Sequence, residues 1–121
     1  MSREDAARVL DVEVYTLDGA TVIAARGEID ILSVPLLQSS LEQAHDDGVD
    51  VVVDMSEVGF MGSAGLSALL AAAEGAEPQK LRVVASSAVR RPIEVTGLDK
   101  VLAVFATLDD ALASGEPIAA G

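Results

Sequence analysis

Val49-Asp50-Val51-Val52-Val53 is the stretch on which the fold turns. It is almost wholly β-branched, which suits pleated backbone, and it lacks the strict polar alternation of a strand with one wet face. A strand of this kind is covered on both faces, and covering requires helices on at least one. Downstream, Leu66, Leu69, Leu70 and Ala73 recur at i, i+3, i+4 and i+7, which predicts an amphipathic helix from near Ser63 to Gly75. Glu77-Pro78-Gln79 then makes a loop, and Leu81-Arg82-Val83-Val84-Ala85 reads as the next strand. Strand, helix and strand in that order imply a parallel sheet with right-handed crossovers.

Working outward, Ser33 is a candidate helix cap with Pro35 in the first turn, and Val34, Leu37, Leu41 and Ala44 follow at helical spacing to about Asp47, where Gly48 stops the helix. Before it, Val12 and Val14 alternate with Asp11 and Glu13 between Val9 and Leu17. Asp18-Gly19 is a hairpin turn signal, and Thr21 to Ala25 forms the returning strand, ending near Gly27. Towards the C-terminus, Ser87 to Thr96 predicts a short helix with Pro92 in its first turn or kinking it, closed by Gly97. Leu102 to Ala106 is a last strand, Thr107-Leu108-Asp109-Asp110 has the form of a capping box opening a helix through Leu112, and Ser114-Gly115-Glu116-Pro117 begins a tail. The expected fold is α/β: one domain over residues 1–121 with its core at about 8–114. Its mixed central sheet has an antiparallel N-terminal hairpin followed by parallel strands, flanked by about four helices.

The chain has 121 residues, 20 acidic and 8 basic, for a net charge of -12. That field repels phosphate backbones and anionic lipid, so neither nucleic acid nor membrane is an expected partner. Half of the residues are hydrophobic and almost none aromatic, so the core is built from Val, Leu, Ile and Ala. With no cysteine there is no disulfide framework, thiol nucleophile or cysteine zinc site, which suits a reducing compartment. Met1-Ser2-Arg3-Glu4-Asp5 carries acids where a secretory signal needs a basic start, and no apolar run approaches membrane-spanning length. A cytoplasmic location is expected.

The one constellation that invites a catalytic reading is Gly62-Ser63-Ala64-Gly65, between a buried strand and a helix. A nucleophile elbow needs glycine two residues before its serine, and Met61 stands there. The sole histidine, His45, lies on an earlier predicted helix, so a base for Ser63 is missing and a small serine hydrolase is the remote alternative. No Lys-Ser or Lys-Thr follows the glycines as a phosphate-cradling loop requires, and Asp46, Asp47 and Asp50 match no calcium loop. Neither metal nor cofactor is expected. Ser63 itself has two readings: a plain N-cap, or a phosphate acceptor whose dianion would meet unpaired helix N–H groups and the positive dipole end.

Three features together resemble the STAS domain, specifically the stand-alone bacterial anti-sigma factor antagonists. Gly27-Glu28-Ile29-Asp30 with Val34-Pro35 is similar to the family's first signature. Val51-Val52-Val53-Asp54-Met55-Ser56 with Phe60-Met61-Gly62-Ser63-Ala64-Gly65-Leu66 is similar to the second, and Thr96-Gly97-Leu98-Asp99 to the closing turn. The resemblance implies a non-enzymatic module that, unmodified, binds an anti-sigma factor of the ATP-binding serine kinase type and so frees the sigma factor. Phosphorylation by that kinase at Ser63 breaks the complex, and a phosphatase restores it. It further implies a partner surface made of Glu28, Asp30, Asp54, Met61, Gly62, Ser63, Ala64, Gly65 and Leu66. The sequence departs from the family motif where Gly62 replaces an Asp and Ala64 a second hydroxyl residue. A non-phosphorylated adaptor or a small-ligand, such as nucleotide, binding module therefore stands as the alternative.

Overall fold

The computed structural model describes residues 9–48 and 50–114. Five strands form one sheet: β1 (Leu10–Leu17), β2 (Ala20–Ile29), β3 (Val51–Met61), β4 (Leu81–Ala85) and β5 (Leu102–Phe105). They lie side by side in chain order, with β1 antiparallel to β2 and every later pair parallel. Four helices accompany them: α1 (Val34–Asp47), α2 (Ser63–Ala76), α3 (Ser87–Thr96) and α4 (Leu108–Ser114). This is the expected mixed sheet with four helices.

Sequential order has a geometric consequence. Crossovers of one hand between neighbouring parallel strands put every connecting helix on the same face. The main core accordingly joins Leu37 and Leu41 of α1, Leu69 and Ala73 of α2, and Val89 and Ile93 of α3 to Ile23, Val53, Met55 and Val83 of the sheet. On the opposite face a smaller cluster of Ala20, Val52, Val84 and Ala111 is closed by Phe105, Leu108 and Leu112, so α4 alone packs there. Val52 and Val53 are both fully buried, as a doubly covered β3 requires. The remaining residue of the opening run, Val49, lies outside the described residues, as do the expected tails at either end.

Local rules explain most element ends. Asp18 and Gly19 both take positive φ, 53° and 81°, the pattern of a two-residue hairpin turn matched to strand twist. Ser86 caps α3 by accepting the N–H of Val89, and Thr107 Oγ1 caps α4 by accepting that of Asp110 at 3.1 Å. Pro92 falls in the interior of α3 rather than in its first turn.

Two expected caps are corrected. Ser33 flanks α1 but makes no capping bond with its side chain. Instead Asp30 Oδ1 accepts the N–H groups of Leu32 and Ser33, while Ser33 Oγ accepts from Asp30 N and donates to the Glu28 carbonyl. An acid three residues earlier thus organises the entry to α1. Likewise α2 is capped by the backbone of Gly62, and Ser63 is its first helical residue.

The helical stripe of α2 also shifts. Gly65, Ala68, Leu69 and Ala73 are buried, Leu66 is half-buried and Leu70 is 41% exposed. Small residues face the sheet and α1, which brings the backbones close and turns Leu70 outward. A Cβ on Gly65 would stand 2.5 Å from Met61 Cγ and 2.8 Å from Ile29 Cγ2, so only glycine fits there without displacement.

The largest departure from expectation is β3, which runs eleven residues to Met61 rather than ending near Val53. Between Ala24 and Arg26 of β2, β3 advances from Asp54 to Glu57, and between Gly27 and Glu28 it advances from Val58 to Phe60. Each slip is a bulge with one extra residue on β3, and bulges bend a strand and re-aim its side chains. Pairing with β4 stops at Met55, so the last part of β3 extends past β4 alongside β2.

Candidate functional site

The site lies where β2 and β3 end together. Ile29 is in register with Met61, and Gly62 donates its N–H to the Ile29 carbonyl at 2.9 Å. That bond sets the turn containing Asp30 beside the first turn of α2. Met61 and Ile29 are buried anchors beneath, and Gly65 sits against both.

Above these anchors Ser63 is exposed, and among the described residues its hydroxyl makes no hydrogen bond. Gly65 N and Leu66 N both donate to the Gly62 carbonyl, at 3.0 and 3.3 Å. The N–H groups of Ser63 and Ala64 have no protein acceptor among the described residues, and the first turn holds no acid. Uncompensated donors at the positive end of a helix dipole favour an added anion there. The plain-cap reading of Ser63 is not what the geometry shows, since Gly62 occupies that position.

The surface around Ser63 is apolar in a way the sequence did not announce. Ile31 is 76% exposed and Leu32 87% exposed, on the turn joined to Gly62 through Ile29, and Phe60 is 51% exposed. The Phe60 ring lies over Gly62, with ring atoms 3.5 and 3.6 Å from where a Cβ would be. Phe60 reaches this place because the second bulge sets it opposite Glu28. Large apolar side chains exposed together are a common feature of interaction surfaces. The signal that would have found Ile31 and Leu32 is two bulky aliphatic residues between a strand end and a helix start, where polar turn residues are usual.

The expected site residues divide. Glu28, Asp30, Met61, Gly62, Ser63, Ala64, Gly65 and Leu66 come together at this end of the sheet. Glu28 is exposed beside Phe60. Asp30 is tied into its turn, and the N–H of Ser33 in particular holds its carboxyl below the usual range. Asp54 is not part of the group. It pairs with Ala24 and Val84, seven positions back along β3 from Met61 and so roughly 20 Å away at strand rise. Its neighbours Val53 and Met55 face the helix-covered core, which places Asp54 on the opposite face. There its charge helps to raise the Tyr15 phenol, after burial as the larger cause.

His45 is also remote. Its ring rests against Gly75, twelve positions along α2 from Ser63, about 18 Å at helical rise. It therefore cannot serve Ser63 as a base. Asp50 is committed to an ion pair with Arg82, and among the described residues no cluster of His, Asp or Glu is arranged to hold a metal ion. No helix among the described residues is long and apolar enough to cross a membrane.

Comparison with known proteins agrees with this architecture. The STAS domain family model matches residues 11–111. The chain is 40% identical over 106 residues to the anti-sigma-F factor antagonist RsfB of Mycobacterium tuberculosis, covering 85% of this chain and 87% of that protein. It is 29% identical over 99 residues to an anti-sigma-B factor antagonist of Staphylococcus aureus, covering 78% and 92%. The crystal structure of an anti-sigma factor antagonist from Mycobacterium paratuberculosis superimposes with a TM-score of 0.81 at 39% identity, covering 87% of this chain and 92% of that one. With its sheet order, its β3–α2 junction and this match over most of its length, the chain belongs to the STAS domain family.

Proposed function

We propose that this protein is an anti-sigma factor antagonist whose partner is an anti-sigma factor of the serine kinase type, docking over Ser63. The observation that carries the reading is the exposed Ser63 hydroxyl at the first position of α2, set beside the exposed side chains of Ile31, Leu32 and Phe60. The similarity to two proteins named as anti-sigma factor antagonists supports the choice of partner.

In this reading the unmodified protein covers its apolar surface with the anti-sigma factor, which then lets go of its sigma factor in the cytoplasm. The kinase transfers the γ-phosphoryl group of ATP to Ser63 Oγ, the hydroxyl proton leaves and ADP departs. The new group brings about -1.5 to -2 charge. Free N–H groups at Ser63 and Ala64 accommodate it on this protein, whereas the partner faces a charge it would have to desolvate at a cost of several kcal/mol. Each 1.4 kcal/mol is about tenfold in affinity, so the complex dissociates without any change of fold. Hydrolysis of the phosphoserine by a phosphatase resets the protein.

Gly62 and Ala64, standing where the family motif has an acid and a second hydroxyl, favour one further reading: a constitutive adaptor that binds the same partner and is not phosphorylated. One experiment separates the two. The protein and its Ser63→Ala variant are incubated with the cognate anti-sigma factor and ATP, and intact masses are taken. Added phosphate on wild type only supports the switch, while binding with no added phosphate supports the adaptor. Failure to bind any anti-sigma factor of the organism would remove both.

A further inference from the structure

The two edges of the sheet are unlike. β5 is four residues long, and short edges resist pairing. β1 is eight residues, LDVEVYTL, pairs on its outer side with no strand among the described residues, and has neither the proline nor the lysine that often blunts an open edge. Its only charged side chains are Asp11 and Glu13, and Arg26 of the neighbouring β2 faces both, at 3.9 and 3.3 Å. Val14 in mid-strand is 52% exposed, and Leu17 at the strand's end is 38% exposed.

We infer that this edge joins two copies of the chain, β1 running antiparallel to β1 across a twofold axis through Val14. Only certain registers are open to such a pair. Facing residues must either both turn their N–H and C=O outward or both turn them inward towards β2, so their numbers share parity and sum to an even total. A sum of 22 sets Asp11 against Asp11, 24 sets Asp11 against Glu13, and 26 sets Glu13 against Glu13. Like charges directly opposite destabilise a pair. A sum of 28 sets Val14 against Val14, Glu13 against Tyr15, Val12 against Thr16 and Asp11 against Leu17, so no acid meets an acid. It pairs everything from Asp11 to Leu17, whereas a sum of 30 pairs only Glu13 to Leu17.

This ladder is small beside the roughly 1,200 Å² of a stable dimer, and each copy carries a net charge of -12. The association is therefore weak, and it strengthens with salt as the mutual repulsion is screened. It is independent of the role of Ser63.

Because the chain has no cysteine, the register can be read directly. Sedimentation velocity up to millimolar protein, at low and half-molar salt, is expected to show a dimer fraction that rises with both. Val14→Lys is expected to weaken it at least tenfold while leaving circular dichroism and Tm unchanged, since Val14 is half exposed. Val14→Cys places two thiols at cross-strand neighbours, about 5 Å apart at Cβ, and a short bismaleimide should link them far faster than it links Ser67→Cys on α2. A wild type that stays monomeric at high salt would overturn the inference. So would a dimer that survives Val14→Lys, or Val14→Cys linking no faster than Ser67→Cys.

Discussion

The N–H of Gly62 and the carbonyl of Ile29, 2.9 Å apart, close the gap between the end of β2 and the start of α2. Through that one bond the turn bearing Ile31 and Leu32 is fixed relative to Ser63, although the two segments lie some thirty residues apart in the chain.

Ser63→Asp separates stability from binding. An acid at the first position of α2, where none exists, meets free N–H groups and should stabilise the fold by about 0.3–1 kcal/mol. The same charge should weaken the complex with the anti-sigma factor at least tenfold. Urea denaturation and titration calorimetry are expected to move in opposite directions.

Leu32→Ser and Phe60→Ala test the apolar surface. Both side chains are more than half exposed, so Tm should barely change. If they anchor the partner, each truncation is expected to cost more than about 1 kcal/mol of binding, measured by calorimetry against the same anti-sigma factor.

Gly65→Val overfills the seat of α2. Its branched side chain would collide with Met61 and Ile29, and overpacking of this kind costs about 1–3 kcal/mol, read as a lower urea midpoint at unchanged m.

Asp30→Asn carries a pH signature. The folded state lowers the Asp30 pKa, chiefly through the N–H of Ser33, so the carboxylate's contribution is fully present above the ordinary Asp pKa and is lost as pH falls through the lowered value. Wild type should therefore be the more stable at neutral pH. The difference in Tm between the two proteins should shrink on acidification.

Arg82→Met opens the far end of the sheet. Arg82 is 7% exposed, donates to the Ala111 carbonyl at 2.7 Å and pairs with Asp50. Methionine keeps the stem's packing but removes the buried guanidinium's bonds to that carbonyl and to Asp50, for an expected loss of about 1–3 kcal/mol in urea.

Much of this architecture was legible in the chain because local and long-range preferences agree there. β4 falls on Leu81–Ala85 and α3 on Ser87–Thr96, as their apolar runs and bounding residues predicted. What escaped reading has one main cause. The bulges of β3 interrupt its periodicity after Asp54, so the run to Met61 does not look like strand, and the distance from Asp54 to Ser63 was invisible. Ser33 misled for a different reason: a serine before an apolar helix can cap with its side chain, but here that oxygen is taken up by Glu28 and Asp30. At the site, Ser63 and its glycine neighbours were readable from their motif. Ile31, Leu32 and Phe60 were not, because exposure depends on what the fold leaves uncovered.

The sequential strand order gives the molecule an electrical asymmetry. α1, α2 and α3 each follow the C-terminal end of a parallel strand, so their amino ends, each worth about half a positive charge, all point towards the end of the sheet that holds Ser63. A body carrying a net charge of -12 therefore presents one pole less hostile to anions than the rest. An approaching protein would be turned by that gradient before any side chains touch, so the orientation of the encounter is set by the path of the backbone as much as by the residues on its surface.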